Sequence, residues 1–188
     1  EGASPWEVDA ALTEFGFPMG PFQMADLAGL DLGWTAETSS SSTIREVLCE
    51  RGRRGQKTGS GFYDYDDNRR GSPSPETEAI IAEFAAKSGA TQRKFSADEI
   101  RERLLYPMIN EGAKILEEGI AQRASDIDIV WLNGYGWPAF TGGPMFWADT
   151  VGLKTVLDGL ERQVDALGPD FTVSALLRRK ADAGENFN

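Results

Sequence analysis

Gly20-Pro21-Phe22-Gln23-Met24-Ala25-Asp26-Leu27-Ala28-Gly29-Leu30 reappears as Gly143-Pro144-Met145-Phe146-Trp147-Ala148-Asp149-Thr150-Val151-Gly152-Leu153. The Gly-Pro, Ala-Asp and Gly-Leu pairs keep one displacement of 123 positions, from Gly20 to Gly143. Upstream, Gly16-Phe17-Pro18 matches Gly136-Trp137-Pro138, and Asp9 matches Asp128, at slightly shorter displacements. The slippage falls in turns, where insertions are tolerated. In each copy the proline stands where a helix begins, and the glycines let two helices approach closely. Asp26 and Asp149 are expected to cap or bridge rather than to catalyse, because no other polar residue accompanies the Ala-Asp pair. One copy has too little core to stand alone. The expectation is an all-α fold, two tandem helical repeats packed face to face as a pseudo-twofold domain.

The rest of the chain fills in that frame. Ser4-Pro5-Trp6-Glu7 and Ser96-Ala97-Asp98-Glu99 are capping boxes, and Ser125-Asp126-Ile127-Asp128 is a shortened one. Helices are predicted over 5–15, from Pro21 to before Gly29, and over 43–51, 76–87 and 98–118. Others follow over 126–133, 144–150, 153–167 and 174–183. Pro107 inside the longest predicts a kink or break. Phe62, Tyr63 and Tyr65 form a short extended aromatic segment, and 66–75 is charged and rich in Pro, Gly and Ser. The expected organisation is a first repeat over 1–66, a linker over 67–75 and a second repeat over 76–188. The chain opens on Glu1 rather than Met, as expected of a fragment boundary.

Composition excludes several function classes. The 188 residues are 40% hydrophobic and carry a formal net charge of −11, a poor match to nucleic acid or an anionic membrane surface. No apolar run approaches the roughly 20 residues of a spanning helix. Histidine is absent and Cys49 is the one cysteine, so His-dependent triads, thiolate zinc sites and intrachain disulfides are excluded. Cys49, in a helical pattern, reads as a buried thiol.

Gly59-Ser60-Gly61 and Gly134-Tyr135-Gly136 lack the third glycine of a dinucleotide fingerprint, and neither follows an apolar strand. Gly55-Gln56-Lys57-Thr58 is not a phosphate loop, because Gln56 separates the glycine from Lys-Thr. Arg51, Arg53, Arg54 and Lys57 put four positive charges in seven residues of an acidic chain, among glycines that open the backbone. Such a loop suits an anion; the alternative is a solvated loop docked through Phe62 and Tyr63.

Phe15-Gly16-Phe17-Pro18-Met19-Gly20-Pro21-Phe22 resembles the first C-terminal repeat of 3-hydroxyacyl-CoA dehydrogenases. Gly55-Gln56-Lys57-Thr58-Gly59-Ser60-Gly61-Phe62-Tyr63 resembles the segment closing it. Tyr106-Pro107-Met108-Ile109-Asn110-Glu111 and Gly142-Gly143-Pro144-Met145 resemble the second copy of the multifunctional fatty-oxidation proteins. The resemblance implies a fold like the C-terminal domain of 6-phosphogluconate dehydrogenase. It implies oxidation of an (S)-3-hydroxyacyl-CoA with hydride passing to NAD, in fatty-acid β-oxidation. It places NAD and a catalytic His-Glu pair in an upstream Rossmann domain, and an opening helix of the first repeat before Glu1. This chain then holds no catalytic, cofactor-binding or metal residues and is inactive alone. Pro18, Met19, Gly20, Pro21 and Phe22 are the expected lining of the acyl-CoA cleft, and Arg53, Arg54 and Lys57 the expected contacts to CoA phosphates. Expected partners are the acyl-CoA, the Rossmann domain, and a thiolase subunit or homodimer mate. The implied compartment is the bacterial cytoplasm, or the peroxisome in a eukaryote. The alternative is a non-catalytic helical module for dimerisation or subunit docking.

Overall fold

The signals that open the first helix act as the sequence predicts. In a computed structural model, which describes residues 1–89 and 91–188, Ser4 N donates to Glu7 Oε2 at 2.8 Å and Glu7 N to Ser4 Oγ at 3.3 Å. Pro5 takes the first helical position, where its missing N–H costs nothing. The helices are α1 (Pro5–Phe15), α2 (Pro21–Ala28), α3 (Ile44–Glu50), α4 (Pro75–Ser88), α5 (Ala97–Glu117), α6 (Ala124–Gly134), α7 (Pro144–Val151), α8 (Leu153–Leu167) and α9 (Ala175–Ala183). The described strands are β1 (Tyr63–Tyr65) and β2 (Gly71–Pro73), paired antiparallel with Asp64 opposite Ser72. The class is all-α. α5 runs unbroken through Pro107.

The chain divides into two compact units, residues 1–14 with 19–97, and 15–18 with 98–188. The boundary differs from the expected one. α4 belongs to the first unit because Ile80 packs into its core with Leu30, Leu48, Cys49, Phe62 and Tyr63. The expected linker is not open chain, since Gly71–Pro73 pairs with Tyr63–Tyr65 and Ser74 caps α4 through Thr77 N.

The second unit is built on α5 and α8. Leu153, Val156, Leu157 and Leu160 line one face of α8 at helical spacing. They meet Tyr106, Ile109 and Ala113 of α5, Ala148 of α7 and Leu177 of α9. Gly159 is required there: a Cβ would lie 2.4 Å from the Tyr106 ring. Burying each of these leucines stabilises the unit by roughly 2 kcal/mol. Asn110, fully buried, donates to Thr172 O and accepts from Ser174 N, tying α5 to the start of α9. The residues of the Phe15–Pro18 turn also pack in this unit, where Phe15 meets Trp137 and Trp147 edge-on. The expected box at Ser125 is displaced. α6 starts two residues earlier, Asp126 receives Arg123 N at 3.1 Å, and Asp128 reaches a different helix.

Candidate functional site

Two buried aspartates organise the first unit. Asp9, on α1, accepts from Phe22 N and Gln23 N at 2.9 Å each, so a carboxylate sits on the amide end of α2. Asp26, on α2, accepts from Phe62 N at 2.9 Å, Tyr63 N at 3.0 Å and Tyr65 Oη at 2.9 Å. Tyr63 joins the two, because its hydroxyl donates to Asp9 at 2.8 Å. Burial pushes the carboxyls of Asp9 and Asp26 above the usual range, against the pull of these donors. Burial also raises the hydroxyls of Tyr63 and Tyr65, so both remain donors. Gly20 is needed for contact, as a Cβ there would stand 2.3 Å from the Asp9 carboxyl.

The second unit repeats this wiring. Asp128 accepts from Met145 N at 2.7 Å and Phe146 N at 3.2 Å, at the amide end of α7. A Cβ on Gly143 would fall 2.4 Å from its carboxyl. Asp149 accepts from Phe187 N at 2.7 Å and Asn188 N at 3.0 Å. Gly29 and Gly152 end α2 and α7 with φ of 99° and 94°, each donating to the alanine carbonyl four residues back. Asp26 and Asp149 are therefore bridges, as expected. The closing dipeptides, Phe62-Tyr63 and Phe187-Asn188, correspond as well. The sequence reading missed this pairing because only the phenylalanine is shared.

The residues expected to line a cleft do not form one group. Pro18 is exposed and packs in the second unit, where a Cβ on Gly136 would lie 3.0 Å from its ring. Met19 is half-buried and Gly20 is buried against Asp9. Pro21 and Phe22 open α2 and line a groove of about 330 Å³ with Ala25, Ala28, Gly29, Leu30, Leu32, Arg45 and Phe62. Arg45 holds one rim by donating to the carbonyls of Leu30 and Leu32.

Arg53 must be corrected. It is buried, and its guanidinium lies within hydrogen-bond distance of Gly61 O, Asp64, Ser74, Glu76 and Thr77. It ties the hairpin to α4, with Asp64 and Glu76 as its ion-pair partners, and is not a solvated cation of the loop. Arg54 lies over Trp34, 5.2 Å from the ring centre. Lys57 is more than half exposed and pairs with Asp31 at 2.6 Å.

The glycine pairs do not fit a dinucleotide. Gly59-Ser60-Gly61 precedes β1 instead of following a strand, and the Asp26 carboxylate fills the space where a Gly61 Cβ would stand. Gly134-Tyr135-Gly136 closes α6 instead of opening a helix. Cys49 is buried, and burial pushes its thiol up, away from the reactive thiolate. Among the described residues no acidic or cysteine cluster has metal-site geometry, and no helix is long and apolar enough to cross a membrane.

A family model described as the 3-hydroxyacyl-CoA dehydrogenase C-terminal domain matches residues 1–65 and 100–187. The chain belongs to this family. The two matched blocks each carry one set of aspartate bridges, and the stretch between them holds β2 and α4. The human peroxisomal bifunctional enzyme is 46% identical over 184 residues, covering 86% of this chain and 25% of that protein. The Arabidopsis thaliana peroxisomal fatty acid beta-oxidation multifunctional protein is 35% identical, covering 97% of this chain and 27% of its own. This chain thus spans about a quarter of the length of these relatives. The dehydrogenase part of multifunctional enzyme 1 from C. elegans superposes with a TM-score of 0.72 at 33% identity, over 95% of this chain and 42% of that one. A 3-hydroxybutyryl-CoA dehydrogenase from Escherichia coli, 21% identical with a TM-score of 0.68, shares the fold.

Proposed function

We propose that this chain is the C-terminal, substrate-side part of an NAD-dependent (S)-3-hydroxyacyl-CoA dehydrogenase of fatty-acid β-oxidation, inactive alone. The observation that carries the reading is the family match across both aspartate-bridged blocks. The absence of histidine and the misfit of both glycine pairs agree with it, since hydride transfer then needs an NAD site elsewhere in the parent protein. The catalytic base and the nicotinamide belong to an upstream Rossmann domain. Within this chain the accessible part of the expected turn is Pro18 and Met19, and these face the acyl-CoA. Lys57 is the cation free to meet a CoA phosphate once it leaves Asp31. The peroxisomal and glyoxysomal names of the relatives support a peroxisome-type setting if the source is eukaryotic; the bacterial cytoplasm is the setting expected if it is not. This part also serves dimerisation, and the partner of the complete protein is a homodimer mate or a thiolase subunit.

Calorimetry and reconstitution test this. The isolated chain should show no saturable NAD binding and no turnover. Mixed with its upstream domain, it should restore NAD reduction on a 3-hydroxyacyl-CoA. Saturable NAD binding by the chain alone, or full activity in a parent protein lacking it, refutes the reading; the second result favours a docking module.

A further inference from the structure

Tryptophans and tyrosines of the second unit stand in a row. Between ring centres, Tyr106 lies 6.2 Å from Trp147, Trp147 5.9 Å from Trp137, Trp137 6.0 Å from Trp131, and Trp131 4.9 Å from Tyr135. Each spacing is that of rings in contact. The row runs from the interior outward. Tyr106 and Trp137 are buried, Trp147 and Trp131 are half-buried, and Tyr135 is 60% exposed. Phenylalanines flank its middle: Phe15 meets Trp147 and Trp137 edge-on, and Phe17 meets Trp137. Core packing accounts for the buried rings, but not for Tyr135, whose ring follows Trp131 out into water.

Indole and phenol rings give up one electron far more readily than the benzene ring of phenylalanine. An electron vacancy in this unit therefore moves along the row, and Phe15 and Phe17 wall it in. Where it stops is decided by the proton, because an oxidised phenol is trapped once that proton is lost. Tyr106 is badly placed to lose it, since burial, with Glu102 nearby, pushes its hydroxyl up. Trp137 donates its indole N–H to Thr141 Oγ1 at 2.6 Å, and that hydroxyl is itself given to Pro138 O. A hydroxyl so placed is a poor base, so an oxidised Trp137 keeps its proton and passes the vacancy on. Tyr135 stands in water and can release its proton at once.

We propose that the row is a hole relay, which carries a one-electron oxidation from the core of the second unit to Tyr135 at the surface. An oxidant of the carbonate-radical class takes one electron from Trp147 or Trp137. An electron from Trp131 refills that vacancy, and one from Tyr135 refills Trp131, while the Tyr135 phenol loses its proton to water. The tyrosyl radical then takes a hydrogen atom from a soluble reductant of the ascorbate class. The protein is restored, the oxidant has gained one electron, the reductant has lost one, and one proton is released. What is spared is the core. Met145 is fully buried and packs with Trp131. An oxygen added to a buried indole or thioether would place a polar group among apolar neighbours. The relay stands or falls independently of the reaction that the parent protein catalyses.

Flash photolysis of the 188-residue chain tests the proposal. A laser pulse at a wavelength that tryptophan absorbs and tyrosine does not ionises the tryptophans wherever they lie. A spin trap then marks the surviving radical, read residue by residue as peptide mass. Within the second unit Tyr135 should carry the largest share of adduct, independent of protein concentration. In Trp137→Phe, of Trp131, Trp137 and Trp147 only Trp131 still feeds Tyr135, so its adduct should fall about threefold. In Trp131→Phe, a change at a half-buried ring, the adduct should fall at least as far, and a long-lived indolyl radical should remain on Trp137 or Trp147. Thermal melting checks that each variant is folded; if Trp137→Phe is not, Trp131→Phe decides alone. An unchanged Tyr135 adduct in folded Trp131→Phe overturns the proposal. So does a wild-type chain whose adducts stay on tryptophan, and so does transfer that quickens with protein concentration, which is passage between molecules.

Discussion

Asp26→Asn should destabilise the chain by about 3 kcal/mol at neutral pH. The carboxylate takes Phe62 N on one oxygen and Tyr63 N with Tyr65 Oη on the other. An amide keeps one acceptor oxygen, so at least one of the two buried N–H groups must face an NH2. An unsatisfied buried donor costs about 1–3 kcal/mol, and each surviving bond weakens by roughly 1 kcal/mol on losing its charged acceptor. Relief of the buried charge returns part of this. For a chain of this size the loss lowers Tm by about 6–12 °C. The pH dependence has a definite sign. Burial raises the Asp26 pKa, so the folded chain holds the proton to higher pH than the unfolded one. Its contribution to stability is full below the unfolded value, about 3.9, and is lost as pH rises through the raised folded value. Asparagine does not titrate. The gap between wild type and variant should widen as pH falls within that window, read by urea denaturation at several pH values. A gap that narrows on acidification would mean that the three donors outweigh burial. A Tm drop under about 2 °C would mean that the bridge is not a structural fixture.

Gly20→Ala and Gly143→Ala should each destabilise by at least about 2 kcal/mol, since their Cβ atoms would fall 2.3 and 2.4 Å from aspartate carboxyls. Gly143 should be the worse, because its φ of 107° adds backbone strain that Gly20 lacks; thermal melts that rank them the other way contradict this. Arg53→Lys should cost about 2–4 kcal/mol by breaking the fork that joins the hairpin to α4. Lys57→Gln should leave Tm within about 2 °C yet raise KM for the CoA substrate in the parent enzyme. A stable Arg53→Lys variant with raised KM would restore Arg53 as a phosphate contact.

Local features were the legible ones. The Ser4-Glu7 box and the span of α8 depend on neighbours three or four positions away, and both stand as read. The duplicated aspartates were legible as bridges through their repetition, but their partners were not, because Phe62 and Tyr63 lie 36 and 37 positions from Asp26. Arg53 was misread for a related reason. A run of cations in a glycine-rich loop looks solvated until the fold brings Ser74, Glu76 and Thr77 around one of them. α4 went to the wrong unit because the polar stretch before it has the composition of a linker, while Ile80 is buried on the other side of the assignment.

The aspartate bridges also bear on how each unit assembles. Asp26 closes a loop of 36 residues on Phe62, and Asp149 closes one of 38 on Phe187. Closing such a loop costs about 3 kcal/mol in chain entropy before any bond compensates. The return comes only when both N–H groups of the closing dipeptide reach the same carboxylate. Each bridge is therefore a long-range tie that fixes α2 or α7 against a segment far along the chain, while the residues between are held independently by the two cores.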